Sequence, residues 1–209
     1  EGAEFPADKA HYWWRTIFND NEKKSLFSDA VINEIGSLDS YSSYLSHYNN
    51  CPEENEHLFN KFLYADIKVW LADNNLIRVD AMSMAHSLEA RVPFLDHELV
   101  EFMARVPPQL KMKNGTLKYL LKSAMKGKVP EQIIKRKKAG WHVPLAKWFQ
   151  EDLKDYVIEI LSHPKVIKSG FFRKDSITNL LNEHFQGRRN NSFKIWGLLV
   201  FFHWYDTFC

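Results

Sequence analysis

The 209 residues suffice for one domain or one large piece of a bigger one, and 45% hydrophobic content with fifteen Phe and seven Trp points to a core built around rings. Lysine and arginine total 28 against 26 acidic residues, a formal charge of +2 that lacks the basic excess of a general nucleic-acid binder. No apolar run approaches the roughly 18 residues a membrane helix needs, so no membrane partner is expected.

The first residues, Glu1 to Pro6, are acidic and have no apolar core, so no secretory signal is read there. The missing initiator Met suggests a trimmed or processed chain. Cys51 and Cys209 stand far apart without metal-ligand spacing. Two reduced cytosolic thiols are the simpler reading, a single disulfide remaining open; a cytoplasmic protein without a metal site is therefore expected.

Nearly every periodic segment reads as helix. Residues 7–18 and 20–27 give two short helices, with Asp20 or Asn21 as a cap for the second. Residues 29–48 are mixed and hold two more turns or short helices. From Glu53 a long amphipathic pattern runs through Leu58, Phe62, Ala65 and Val69 and is expected to break at Asp73-Asn74-Asn75. A second helix covers Ile77 to Ser87 and must stop before Pro93, since Val92 is pushed toward extended geometry. Asp96 can cap a helix from His97 to Ala104. Pro107-Pro108 ends that element and Asn114-Gly115 marks a tight turn. Leu117 to Met125 is helical, and Pro130 opens another short helix. Lys135 to Val143 reads as a loop. Helices follow at Leu145–Ser162, Lys174–Phe185 and Ser192–Phe208, with Gly187 as a C-cap and Asn191 or Ser192 as an N-cap. No alternating strand pattern and no internal repeat is present, so a single all-α unit over 1–209 is expected.

The densest group of chemical side chains lies between Arg78 and Asp96. On a helix Asp80, Ser83 and Ser87 share a face, and Glu89, Arg91 and Asp96 surround the Val92-Pro93 corner. A structural role is the plain reading: Ser83 bonding back to a carbonyl, Arg91 tied to Glu89 or Asp96, Asp96 acting as a cap. Such groups also shift pKa values at active sites. Lys118 is one of several lysines, with Lys111, Lys113 and Lys122. The run Lys135, Arg136, Lys137, Lys138, followed by Gly140 and Pro144, is the one concentration of positive charge; as a charge run it is most simply a solvated loop. Trp141 and His142 adjoin it, but overall charge gives no support for nucleic-acid binding. His86, His97, His142 and His203 are isolated, and no Ser-His-Asp or Cys-His dyad stands out.

The string Leu76-Ile-Arg-Val-Asp80-Ala-Met-Ser83-Met-Ala-His86-Ser-Leu-Glu89-Ala-Arg91-Val-Pro-Phe-Leu-Asp96 resembles the signature of the asparagine synthetase family. The resemblance continues through Pro107-Pro-Gln-Leu-Lys111, Gly115-Thr-Leu-Lys118-Tyr-Leu-Leu-Lys122 and Lys135-Arg-Lys-Lys138-Ala-Gly140-Trp-His-Val-Pro144, and weakly to Ser192-Phe-Lys-Ile-Trp196. It implies the helical C-terminal part of an adenine-nucleotide α-hydrolase-like (ATP-pyrophosphatase) α/β domain, with the parallel-sheet portion absent from this chain. It further implies an ATP- and magnesium-dependent ligase that activates the side-chain carboxylate of aspartate as an acyl-adenylate and forms asparagine with glutamine-derived ammonia. By resemblance Lys118 is the catalytic lysine, contacting phosphates and the reacting carbonyl. Asp80, Ser83, Glu89 and Arg91 line the substrate or ATP site, and Lys135 to Lys138 with Gly140 form a basic lid.

The family's Ser-Gly-Gly-x-Asp-Ser phosphate loop, its later Ser-Gly-x-Gly-x-Asp-Glu segment and the glutaminase cysteine do not occur in the sequence. Glu1 is therefore expected to follow just after the second segment, and the fragment alone is not expected to bind ATP tightly or turn over. A ligase of the same family forming another amide (a β-lactam, a tailored peptide or a modified surface sugar) and a non-enzymatic helical interaction module are the alternatives. A homodimer of the full-length protein is left open.

Overall fold

Asn19, one residue earlier than expected, caps the first well-formed helix. Its side chain accepts the Glu22 N–H at 2.9 Å while the Glu22 carboxylate accepts the Asn19 N–H at 3.2 Å, a reciprocal capping box. The protein's structure is a computed structural model describing residues 4–52, 57–137, 140 and 143–209. Lys138, Trp141 and His142 of the basic stretch lie outside the described residues. The architecture is predominantly helical, in keeping with the all-α reading. By contacts the chain divides into two units, Ala3–His11 with Tyr41–Ala139, and Tyr12–Ser40 with Gly140–Cys209, where periodicity alone suggested one.

The first unit takes in α1 (Ala7–Trp13, shorter than the 7–18 expected) as far as His11, and α4 (Tyr41–Asn49). Matched three-residue spacing joins them: Asp8 takes the Tyr41 hydroxyl, and the Tyr44 hydroxyl bonds His11 Nδ1 at 2.8 Å. His11 also stacks on Phe62, with ring centroids 4.5 Å apart, and its Nε2 lies 3.5 Å from Asp66. Burial first, and the Asp66 carboxylate second, push the Tyr44 hydroxyl well above its ordinary pKa. The main departure comes next. α5 (Leu58–Ala65) runs without a break through a π-helical stretch, Asp66–Leu76, into α6 (Ile77–Met84). Asp73-Asn74-Asn75 therefore makes no turn: the wider i→i+5 bonding keeps the backbone paired while the polar side chains stay partly or fully solvated.

A 3₁₀ turn, Pro93–Leu95, leads to α7 (His97–Arg105), which Asp96 caps through Leu99 N–H at 3.2 Å. Pro108 begins a short α8 (Pro108–Lys111), the first-turn position at which proline costs no hydrogen bond. Two two-residue strands follow, β1 (Met112–Lys113) and β2 (Thr116–Leu117), a hairpin absent from the periodicity reading. Asn114 and Gly115 both have positive φ, +48° and +74°, as a primed two-residue turn requires. α9 (Tyr119–Ala124) and α10 (Glu131–Lys135) complete the described part of this unit. Among its described residues the buried apolar side chains are Tyr44, Cys51, Ala65 and Val106.

The second unit holds the larger core. α2 (Asp20–Leu26) and α3 (Asp29–Ile35) precede α11 (Leu145–Gln150), α12 (Lys154–Leu161), α13 (Pro164–Lys168), α14 (Lys174–Phe185) and α15 (Ser192–Phe208). The single helix expected over 145–162 is interrupted at Glu151, whose φ and ψ of −120° and −95° leave the helical region. Phe149, Val157, Leu161, Ile195, Leu198 and Phe202 meet in one cluster with Ile177, Leu181 and Leu26. Phe171, Phe172 and Phe201 add edge-to-face ring contacts at 5.3–6.4 Å.

Candidate functional site

Lys118 leaves β2 and starts α9 with φ +57° and ψ +36°, a left-handed conformation in which a lysine is uncommon. Its carbonyl nonetheless opens the helix, accepting Lys122 N–H at 3.0 Å. The residues on either side of it, Leu117 and Tyr119, are thereby turned relative to one another within one step. Thr116 and Tyr119 line a cleft of about 820 Å³ together with Lys122, Ser123, Lys126 and Lys135. Lys118, between the lining residues Thr116 and Tyr119 in the chain, is exposed and is not itself part of the lining. Only Glu131 offsets the lysines lining the cleft, pairing with Lys135 at 2.8 Å, one helical turn away. The cleft therefore carries net positive charge and suits an anion with several oxygens.

The other residues singled out in the sequence belong to the same unit but are not bonded to this cleft. Ser83 Oγ donates to the Asp80 carbonyl at 3.2 Å, the local back-bonding that serine favours. Arg91 Nε pairs with Glu89 at 2.8 Å, with both side chains largely in solvent. Asp96 is spent on its cap, and Ser87 lies past the end of α6 with φ +57°. Among the described residues no hydrogen bond or ion pair joins Asp80, Ser83, Glu89 or Arg91 to Lys118. Met82, Leu88 and Phe94 between them are about two-thirds exposed, so this stretch presents apolar surface as well as charge. In the basic stretch, Lys135 closes α10 instead of beginning a loop, Arg136 and Lys137 follow it exposed, and Gly140 groups with the second unit.

Lys111, which the sequence offered as one solvated lysine among several, is the anchored one. Its ammonium donates to Asn60 Oδ1 at 2.8 Å and to the Ala104 carbonyl at 3.2 Å, tying α8 to α5 and α7. Burial lowers its pKa. No spacing rule distinguishes it, because its partners are 51 and 7 residues away. Among the described residues no three His, Cys, Asp or Glu side chains are close enough to hold a metal ion. No helix among them is long and apolar enough to cross a membrane.

Comparison with known proteins covers most of this architecture. The family model described as asparagine synthase matches residues 3–206. Asparagine synthetase [glutamine-hydrolyzing] 1 of Bacillus subtilis is 40% identical over 147 residues, 70% of this chain and 23% of the relative. A putative asparagine synthetase [glutamine-hydrolyzing] of Mycobacterium tuberculosis is 30% identical over 146 residues, 69% of this chain and 22% of its own. The amidase chry2 of Gibberella zeae is 33% identical over 98 residues, 44% and 15% of the two chains. The chain thus spans less than a quarter of the length of these curated relatives. No solved structure matches it significantly.

Proposed function

Since the chain belongs to the asparagine synthase family, we propose that residues 1–209 are the helical C-terminal portion of an ATP-dependent amide ligase that uses glutamine-derived ammonia. The reaction assigned to the parent enzyme is attack of the aspartate side-chain carboxylate on the α-phosphorus of ATP. Pyrophosphate leaves, ammonia adds to the acyl-adenylate, and AMP departs as the amide forms. Negative charge builds first on the departing pyrophosphate and then on the tetrahedral oxygen, so cations held beside both positions lower both barriers.

The observation that carries this reading is the convergence of Lys122, Lys126 and Lys135 on one cleft whose other lining residues, Thr116 and Tyr119, bracket Lys118 in the segment that resembles the family's lysine motif. Lys118 is assigned to the phosphates and the reacting carbonyl. Its αL backbone sets the direction of the side chain independently of the rotamers of its neighbours. Lys135, Arg136 and Lys137 are assigned to a basic cover over pyrophosphate, together with Lys138 and Gly140. Asp80, Ser83, Glu89 and Arg91 are assigned to the rim that receives the substrate. Magnesium, when bound with ATP, would neutralise phosphate charge beside these lysines. A cytoplasmic location accords with that chemistry.

Two measurements test the proposal. In the intact protein Lys118→Ala should nearly abolish aspartate- and ATP-dependent pyrophosphate release, and wild-type rates would refute the assignment. The 209-residue chain by itself should show no tight binding of Mg-ATP in calorimetry, because the glycine-rich phosphate loop is not in its sequence; tight binding would overturn that part. A second reading is a ligase of the same family forming a different amide, and substituting other carboxylates for aspartate in the same release assay separates the two.

A further inference from the structure

A cleft of about 410 Å³ opens in the second unit between α2, α14 and the beginning of α15. Its volume suits a small metabolite, and four ionisable groups line it: Glu22, Glu183, Arg189 and Lys194. They are not evenly paired. Glu22 Oε1 takes both Arg189 Nη2, at 3.0 Å, and the Lys194 ammonium, while Glu22 Oε2 takes the Asn19 N–H. Two cations on one carboxylate leave that cluster with one net positive charge. Glu183 also lines the cleft, its backbone carbonyl accepting the Arg189 N–H at 3.2 Å, and among the described residues its carboxylate has no cation within ion-pair distance. Its Oε2 takes one bond, from Asn191 Nδ2 at 3.1 Å, and Asn191 is held by a second bond to the Leu180 carbonyl at 3.0 Å. Asn191 is 2% exposed, so Glu183 is fixed by a buried partner instead of sweeping through solvent. The cleft therefore holds one cluster with a net positive charge, Arg189 and Lys194 on Glu22, and one carboxylate without a cation, Glu183, with summed charge zero. Phe18 and Leu26 supply an apolar floor, and Asn179 an amide.

A monoanion would match the cluster and leave Glu183 unmatched, and a monocation would do the reverse. We propose that this cleft binds a free α-amino acid, its carboxylate on Arg189 and Lys194 and its ammonium on Glu183. The inference is independent of the reaction assigned above, since every residue it uses lies in the second unit and Lys118 lies in the first.

Isothermal titration of the 209-residue chain with L-asparagine, L-aspartate and L-glutamine tests it. Succinamate, which is asparagine without the ammonium, and 3-aminopropanamide, which lacks the carboxylate, serve as controls. At least one amino acid should bind at millimolar concentration or below, and the two controls about tenfold or more weakly, the loss expected for one charge-assisted hydrogen bond. Glu183→Gln and Arg189→Gln should each weaken binding by a similar factor, with unfolding curves showing that both variants fold. Lys118→Ala should bind as the wild type does, which separates this site from any aspartate held beside the lysine cleft. No heat with any of the three amino acids, succinamate binding as well as asparagine, wild-type affinity in both charge variants, or loss of binding in Lys118→Ala would each overturn the proposal.

Discussion

His184 is 0% exposed, and its ring sits where α11, α14 and α15 meet. Nδ1 accepts the Asn191 N–H at 3.2 Å, which places the proton on Nε2, and Nε2 has no hydrogen-bond partner. The backbone carbonyl of the same residue accepts the Gln150 side-chain amide at 2.8 Å. A second ring proton would place a charge in a fully buried position, offset only in part by the Arg189 and Ala146 backbone, and abolish the acceptor for Asn191. Burial accordingly lowers the His184 pKa from its ordinary 6.5. The unfolded chain takes up that proton near pH 6.5 and the folded chain only at lower pH. The folded state thus loses stability as pH falls below 6.5, at up to about 1.4 kcal/mol per pH unit. Urea unfolding followed by tryptophan fluorescence between about pH 8 and pH 5 measures this slope, above the range in which carboxylate titration dominates. His184→Asn sets an amide oxygen near the former Nδ1 position and cannot titrate. It should cost about 1–3 kcal/mol at pH 8 for the lost ring, yet show a clearly shallower slope below pH 6.5. Parallel slopes in the two proteins would refute the argument.

Lys118→Gly removes the left-handed strain and should stabilise the first unit by about 1 kcal/mol in urea unfolding, where Lys118→Ala gives no gain; a destabilised glycine variant would show that the side chain packs after all. Asn19→Ala breaks one half of the capping box and should cost about 1 kcal/mol in the second unit, visible as a lower unfolding midpoint, whereas Asn19→Ser should restore most of it.

Where hydrogen bonding is local, the sequence told the structure well. α14 and α15 begin and end where periodicity and Gly187 put them, Asp96 caps α7, and Asn114-Gly115 makes its turn. The failures are those of competing local signals or distant partners. Asn19, Asp20 and Asn21 are all respectable caps, and the carboxylate of Glu22 at the right distance selects the first. Three consecutive polar residues at 73–75 signal a turn, but a π-helical backbone satisfies its own bonds and leaves such residues in place. The lysine motif was readable; the αL state of Lys118 was not, because lysine has no preference for it and the preceding hairpin imposes it. Nothing in the pattern marked His184, Lys111 or the Glu22–Glu183 cleft, whose partners are brought together only by helix packing.

The unbroken rod from Leu58 to Met84 behaves as a gear with a built-in offset. Each π turn takes somewhat more residues than an α turn before the same direction recurs, because its bonds run from i to i+5. Across Asp66–Leu76 this rotates everything downstream about the rod's axis. The azimuth at which Asp80 and Ser83 leave the rod is therefore set by how many residues lie in the wide stretch, not by the face on which Phe62 packs. A one-residue deletion there would shorten the rod by little and re-aim the whole motif.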